Sequence, residues 1–454
     1  MKAASDIIFK YARMISELPF SAGDAPRIIL RHGGRCFMTA RGADFRDLGD
    51  EDIVDITDHD QSQLPAAAAL MKSKNLTAMI LCEPPYTGIC IDSRHEIPAV
   101  LDDMAQIVGP EASIVEPDEK QISRALSRST SVMIENSCLI AGGRNLYEAY
   151  VALQIIEKSA ETILKAQVIG GVRKLDSRLA RFMHYKYQHS YSKAEKELRD
   201  EEDSAEDTAE GEDGAMSGEY TSAGAEIQGE YTSAGAEVQG EFTGDGSISF
   251  DRPAVSEEDA ARWTGHELEL REQLVKYGNM LVSTGLVQGT WGNLSVMLDR
   301  ENMLCTPSGL DYGRLTPADI VKVNIRTLKY EGTRKPTSEK GMHAGIYKKY
   351  PDANAVIHTH SKYCSVFAAG EMPLQVESRE KMAEIGEIIG VSRYALAGTS
   401  GITRNAVKAI GGGPGCILSH HGMIAKGRDL EEAFRSVRLI EEAAEEYIDS
   451  RLEK

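Results

Sequence analysis

Three segments in the first part of this 454-residue chain recur, in the same order, in its last part. Cys36-Phe-Met-Thr-Ala-Arg-Gly-Ala-Asp-Phe, running on to Glu51-Asp-Ile-Val, returns as Met303-Leu-Cys-Thr-Pro-Ser-Gly-Leu-Asp-Tyr, running on to Ala318-Asp-Ile-Val. Asn75-Leu-Thr-Ala-Met-Ile-Leu returns as Asp352-Ala-Asn-Ala-Val-Ile-His, and Leu139-Ile-Ala-Gly-Gly-Arg-Asn-Leu as Met423-Ile-Ala-Lys-Gly-Arg-Asp-Leu. Each last match opens a helix with a capping-box start, Asn145 with Glu148 and Asp429 with Glu432. Apolar residues then follow at helical spacing, as in Leu430, Phe434, Val437 and Tyr447. Ordered matches on this scale point to a tandem duplication. The chain is thus expected to build one unit twice, and it is long enough to give each copy a full core.

The two copies flank a stretch of different chemistry. From Asp200 to Asp251 the chain carries 16 of its 70 acidic residues and no Lys or Arg. The 11-residue repeat Gly-Glu-Tyr-Thr-Ser-Ala-Gly-Ala-Glu-Ile-Gln occupies 218–228, returns at 229–239 with Val for Ile, and decays from Gly240. Such a segment buries too little apolar surface to offset its ordering entropy, and reads as a disordered, self-repelling linker. The expected organisation is a first copy over 1–189, an acidic linker over 190–254 and a second copy over 255–454. The net charge of -19 is therefore mostly the linker's. The folded parts are close to neutral, which argues against nucleic-acid binding.

Seven cysteines without a C-x-x-C pair fit reduced thiols. No apolar run approaches the ~20 residues of a membrane span, so no membrane partner is expected. The N-terminus lacks a signal-peptide pattern, which makes the cytoplasm the expected compartment.

The second copy has a feature the first lacks. Ala355-Val-Ile reads as the start of a buried strand that delivers His358 and His360. Strand side chains alternate faces, so both imidazoles leave on one side, within reach of a single metal ion. A second apolar run, Cys416-Ile-Leu, delivers His420 and His421 at its end. A His-x-His pair alone is more often ordinary than metal-binding. Here four of the chain's 11 histidines lie at the ends of two apolar runs. Three neutral imidazoles with an open fourth position describe a catalytic Zn2+ site, and imidazole suits other divalent metals too. At the matching positions the first copy carries Leu81, Glu83 and Ser137. The fold does not need the histidines.

Residues from about 265 to 450 resemble the class II aldolase/adducin family, closest to its L-fuculose-1-phosphate aldolase branch. The motifs are Gly285-Leu-Val-Gln-Gly-Thr-Trp-Gly-Asn-Leu-Ser, Thr306-Pro-Ser-Gly-Leu-Asp-Tyr, Pro336-Thr-Ser-Glu, His358-Thr-His and His420-His-Gly. The resemblance implies an α/β fold: two three-layer α/β/α domains, each with a largely antiparallel central sheet, the first a degenerate copy without metal ligands. It places the metal on His358, His360 and His421, with His420 a neighbour. It makes Glu339 the acid/base, beside a dication and the α-carbon of a carbonyl. It assigns substrate phosphate to Thr290, Asn293, Ser308, Gly309, Thr337 and Ser338. Thr337-Ser338-Glu339 precedes a helix through His343 to Tyr347, and free N–H groups at a helix start suit phosphate. His343, one turn after Glu339, is read as a supporting residue.

The implied reaction is zinc-dependent, reversible retro-aldol cleavage of a ketose 1-phosphate through a zinc-bound enediolate. A phosphorylated sugar is then the small-molecule partner, and a homo-oligomer with sites at domain interfaces the assembly. Two features depart from the branch. Glu377 stands where a tyrosine follows the Ile-Pro segment, as a possible additional acid/base, and the chain stops shortly after Tyr447. Both concern the aldehyde side of the reaction. The same metal set also serves the family's sugar-phosphate epimerases, dehydratases and decarboxylases, and an adducin-like interaction protein without chemistry is the alternative of another class.

Overall fold

The computed structural model describes residues 2–18, 26–59, 64–189, 241–242, 248–249, 263–287, 291–310, 312–332 and 334–453. Residues 1–184 and 255–454 form one compact unit, and residues 185–254 a second. The linker expected over 190–254, with its repeats, lies outside the described residues except for one short antiparallel strand pair (241–242 with 248–249).

The first unit holds two seven-stranded sheets. The N-terminal half supplies β1 (Arg27–His32), β2 (Arg35–Thr39), β3 (Ile53–Asp55), β4 (Ala78–Cys82), β5 (Ile97–Pro98), β6 (Glu111–Ala112), β7 (Ile114–Val115), β8 (Ser131–Ile134) and β9 (Leu139–Gly143). Its large sheet runs β3-β2-β1-β4-β9-β8-β7, and β5 pairs with β6 apart from it. With β10 (Glu241–Phe242) and β11 (Ile248–Ser249) as the strand pair named above, the C-terminal half continues with β12 (Gly292–Met297), β13 (Asn302–Cys305), β14 (Val321–Asn324), β15 (Tyr330–Glu331) and β16 (Ala355–Thr359). It ends with β17 (Leu374–Gln375), β18 (Ile388–Ile389), β19 (Gly415–Leu418) and β20 (Gly422–Gly427). The second sheet runs β15-β14-β13-β12-β16-β20-β19, every neighbour antiparallel.

Six strands of the two sheets correspond register for register, and the seventh strands, β7 and β15, lie at opposite edges. Leu81 on β4 lies opposite Arg27 and Ile140, as His358 on β16 lies opposite Asn293 and Ile424. The parallel partner of β8 pairs Ile114 with Met133, and the isolated parallel bridge beside β19 pairs Val391 with Ile417. Asn145 caps the helix Leu146–Lys165 and Asp429 caps the helix Leu430–Leu452, each accepting from the backbone N–H three residues on at 2.8 Å. The return bond differs from a standard capping box. Glu148 and Glu432 accept from the backbone N–H of Arg144 and Arg428, one residue before the cap, and also pair with their guanidinium groups. Deeper in the same helices, Glu157 accepts from Tyr86 N, Thr87 N and Thr87 Oγ1, and Glu441 from Ser361 Oγ, Tyr363 N and Cys364 N. Each buried carboxylate thus satisfies the free N–H groups where the next helix starts.

One face of the second sheet, with Met303, Val321, Val323, Val356 and Ile424, packs on Met342 and Ile346 of the helix Lys340–Lys349 and on Ile402, Ala406 and Ile410 of the helix Ser400–Ile410. The helix Leu430–Leu452 packs against β16 and β20, and the helix Lys362–Gly370 against β19 and β20. The latter helix also packs on the helix Leu146–Lys165 of the N-terminal half, where Lys362 Nζ lies 2.7 Å from Glu161 Oε1. The halves are further tied by Arg173 N–H to the Ala369 carbonyl at 2.8 Å and Asp102 N–H to the His420 carbonyl at 2.7 Å.

Gly143 and Gly427 close their central strands directly against the following helix. A Cβ at Gly427 would lie 2.3 Å from Ala433 N, and one at Gly143 2.4 Å from Ala149 N. Backbone cannot retreat there without moving a helix. Gly427→Ala and Gly143→Ala are each expected to destabilise the protein by about 1–3 kcal/mol. Urea denaturation should show this as a lower midpoint with an unchanged slope.

Candidate metal centre

His358 lies two residues beyond Val356 on β16, on the face that carries the helix Lys340–Lys349, and is fully buried. Its Nδ1 is 2.7 Å from the Met423 carbonyl oxygen. A carbonyl only accepts, so Nδ1 carries the hydrogen and Nε2 keeps its lone pair. His360 follows the strand end directly, and His421 sits in the turn between β19 and β20. The His358 and His421 rings stack 4.9 Å apart at an interplanar angle of 4°, and His360 stands edge-on to both at 4.8 and 4.6 Å. One nitrogen from each of the three lies within 4.8 Å of the others.

Glu339, the N-cap of the helix Lys340–Lys349, points into this cluster. Its Oε2 is 3.0 Å from His358 Nε2 and its Oε1 3.0 Å from His421 Nε2. Burial alone would raise the carboxyl's pKa, but His358 and His421 hold it well below the usual carboxylate range. Burial likewise opposes a charge on His421, yet Glu339 and Asp102 together push its pKa up. Burial lowers His360 to about 3, so that imidazole is neutral. A lone-pair nitrogen and a carboxylate oxygen that face each other in a buried site need a proton or a metal cation between them, and His358 Nε2 has no hydrogen-bond partner. The donor set therefore fits a divalent metal on His358, His360 and His421 with Glu339 alongside.

A chain of hydrogen bonds fixes Glu339 from behind. Tyr347 Oη lies 2.6 Å from Ser295 Oγ, and Ser295 Oγ 2.6 Å from His343 Nδ1. His343 Nε2 lies 2.6 Å from Asn293 Oδ1, and Asn293 Nδ2 donates to Glu339 Oε2 at 3.2 Å. Read outward from the carboxylate, which only accepts, every donor and acceptor is assigned: Nε2 of His343 carries the hydrogen and Nδ1 accepts from Ser295. Burial keeps His343 neutral, with its pKa lowered to about 3.

The remaining expected residues divide. Ser308 and Gly309 lie next to Thr337 and Ser338, because Pro307 and Pro336 form a bridge, Ser308 N–H donates to the Lys335 carbonyl, and Thr337 N–H to that of Thr306. Thr337 Oγ1 accepts from Glu339 N–H at 3.2 Å, and both ends of the Asn293 amide are engaged as above. Ser338 and Gly309 are exposed. Thr290 lies outside the described residues. Glu377 is exposed and accepts from Arg451 at 2.8 Å. His420, with a left-handed φ of 57°, turns away from the cluster, and its Nδ1 meets the Val100 carbonyl at 2.8 Å.

Sequence reasoning missed the N-terminal half's share. Asp102 Oδ2 is 3.3 Å from His421 Nδ1, and Asp103 Oδ2 is 3.6 Å from His360 Nδ1. Lys158 Nζ pairs with Asp103 at 3.0 Å, and Tyr394 Oη donates to Asp102 Oδ1 at 2.9 Å. A pocket beside His360 is lined by Asp103, Gln154, Ile155 and Lys158 from one half and by Trp291 and His360 from the other. The available signal was the run Ile97-Pro-Ala-Val-Leu-Asp-Asp-Met-Ala, two adjacent aspartates inside an apolar stretch.

The sequence profile of the Class II Aldolase and Adducin N-terminal domain matches residues 272–448. The 5-methylthioribulose-1-phosphate/5-deoxyribulose-1-phosphate aldolase of Rhodospirillum rubrum is 38% identical over 183 residues, 40% of this chain and 82% of the relative. The 5-deoxy-D-ribulose 1-phosphate aldolase of Bacillus thuringiensis serovar kurstaki is 34% identical over 182 residues, 40% of this chain and 85% of the relative. Among solved structures, an L-fuculose 1-phosphate aldolase is 38% identical, covers 40% of this chain and 86% of that one, and aligns with a TM-score of 0.39. The chain belongs to the class II aldolase and adducin family, as an aldolase-type lyase. Among the described residues no helix is long and apolar enough to cross a membrane.

Asn293 links the His343 ring to the Glu339 carboxylate. Asn293→Ala should leave the buried His343 N–H without a partner and cost about 1–3 kcal/mol of stability. Chemical denaturation of the variant against wild type measures it.

Proposed function

We propose that residues 255–454 form the catalytic domain of a divalent-metal aldolase that cleaves a ketose 1-phosphate, with Zn2+ on His358, His360 and His421. The observation that carries this reading is the three-histidine cluster with the Glu339 carboxylate set between two of its rings. The relatives' names supply the substrate class, sugar 1-phosphates. When bound, the dication polarises the C2 carbonyl and stabilises the charge that develops there.

Glu339 does the proton work. Cleavage breaks the C3–C4 bond: the ionised Glu339 takes the C4 hydroxyl proton, the C4 fragment leaves as the aldehyde, and the bonding pair is drawn towards the C2 carbonyl. C3 then gains a proton, which Glu339 delivers. In the reverse direction the ionised Glu339 removes that proton. Asn293, braced by His343, holds one carboxylate oxygen in place through this exchange. Exposed Ser338 and the Ser308–Gly309 loop, joined through the Pro307–Pro336 bridge, are the phosphate cradle. Thr290, Asn293 and Thr337 belong to the same candidate set, although Asn293 and Thr337 also support Glu339.

The N-terminal half is a degenerate copy from a tandem duplication. Matching strand order, register and helix caps support that reading. With Leu81 and Ser137 at the registers of His358 and His421, it holds no metal of its own. Further copies of the chain are expected in a homo-oligomer, as in the family.

Three experiments test the reading. Purified wild type should contain one zinc per chain by elemental analysis; His358→Ala and His421→Ala should lose it, and His420→Ala should keep it. A panel of 5-deoxyribulose, 5-methylthioribulose and fuculose 1-phosphates, each beside its unphosphorylated ketose, should give an aldehyde from the phosphate ester alone. Glu339→Gln should bind substrate and lose about 10²–10⁴ in turnover. A product that is an isomer, or that has lost water or CO2, would replace aldol cleavage with the family's other reactions.

A further inference from the structure

The N-terminal half carries none of the three clustered histidines, yet it approaches the cluster with two side chains outside the motifs of the C-terminal half. Asp102 is fully buried and Asp103 is 2% exposed, although both are carboxylates on an otherwise apolar segment. Asp102 Oδ2, His421 Nδ1 and His360 Nδ1 are all buried without a hydrogen-bond partner. Asp102 Oδ2 faces His421 Nδ1 at 3.3 Å, and Asp103 Oδ2, which also accepts from Lys158, faces His360 Nδ1 at 3.6 Å. Both separations fall just outside ideal hydrogen-bond geometry.

Both rings need this kind of partner. His358 takes its orienting acceptor from its own domain, the Met423 carbonyl. The faces of His360 and His421 turned away from the cluster's centre meet the N-terminal half instead. An imidazole that ligates a metal through one nitrogen ordinarily donates its other N–H to a carboxylate or carbonyl, which fixes the tautomer and the ring plane.

The carboxylates are themselves held. Tyr394 donates to Asp102 Oδ1, leaving Oδ2 for His421, and Asp102 N–H is anchored on the His420 carbonyl. Lys158 pairs with Asp103 Oδ2 from the helix Leu146–Lys165. His420 closes the arrangement by meeting the Val100 carbonyl, two residues before Asp102. The residues that bring Asp102 to the site therefore come from both halves.

We infer that Asp102 and Asp103 of the degenerate half are positioning residues for the metal centre, each accepting the outward N–H of one ligating histidine, so that one site is assembled from both halves of a single chain. This rests on the metal reading above and extends it: the N-terminal half is part of the active site.

The test is metal affinity in the full-length protein, by competition with a chromophoric chelator, together with the visible spectrum of the Co2+-substituted form. Asp102→Asn and Asp103→Asn keep size and shape and remove the carboxylate. Each is expected to weaken Zn2+ binding about 10–100-fold and to shift the Co2+ bands. Asp102→Glu and Asp103→Glu should restore part of the loss. Tyr394→Phe, which removes a partner of Asp102 but leaves its carboxylate, should cost less than Asp102→Asn. Thermal unfolding of the metal-free variants separates a folding defect from a weakened site. Asn variants that bind Zn2+ with wild-type affinity and an unshifted Co2+ spectrum overturn this inference alone. A wild type that takes up no metal overturns the metal reading and this inference with it.

Discussion

His358 reaches Glu339 because β16 is clamped between β12 and β20, with Asn293 on one side and Ile424 on the other. Side chains on a strand alternate, so a slip of one residue would turn His358 away from Glu339 and drive Ile357 into its place. The same register lays Asn293 alongside His358, where its amide reaches both Glu339 and His343. It also carries β20 far enough for its first turn to present His421. What pins the register is apolar: Val356, Ile424, Leu418 and Val323 are buried against the helices of one face. Chemistry at the strand ends thus depends on packing in the middle of the strands.

The sequence disclosed the strands and the histidines at their ends with little loss. A pair of histidines two apart after Ala355-Val-Ile, and a third before a glycine, are local patterns, and local patterns survive folding. The capping residues Asn145 and Asp429 were legible for the same reason. The Tyr347–Ser295–His343–Asn293–Glu339 chain was only partly legible. Ser295 and His343 lie 48 positions apart, and their contact depends on how the helix Lys340–Lys349 crosses the sheet. Glu377 shows the cost of reasoning within one copy. It occupies the segment after the β-strand where an acid/base was sought, but on the surface beside Arg451. Besides Glu339, the carboxylates that reach the cluster are Asp102 and Asp103, which follow the short strand β5 in the other half. Nothing in a linear pattern says that one half's segment closes the other half's site.

Burial makes this arrangement costly unless it is completed. Glu339, Asp102, Asp103 and Lys158 are all at least about nine-tenths buried, within one cluster that also holds three imidazoles. Ionised groups of one sign cannot be kept from water at such density without compensation. Lys158 compensates Asp103. The carboxylates of Glu339 and Asp102 remain, on opposite sides of His421, and together they call for a positive charge at the cluster.

Counted as ions, three carboxylates and one ammonium leave two negative charges around three neutral rings. A single dication on the histidines balances that count, whereas a lone proton on His421 balances half of it. The count closes only when both halves are included. The C-terminal half alone would surround a dication with one carboxylate and leave a net positive charge buried, while the N-terminal half alone would bury Asp102 and Asp103 against Lys158 with one charge uncompensated. Each half is electrostatically incomplete, in opposite senses. That gives a physical reason for a half without these histidines to pack where it does: its surplus negative charge would be neutralised by the dication proposed for the other half.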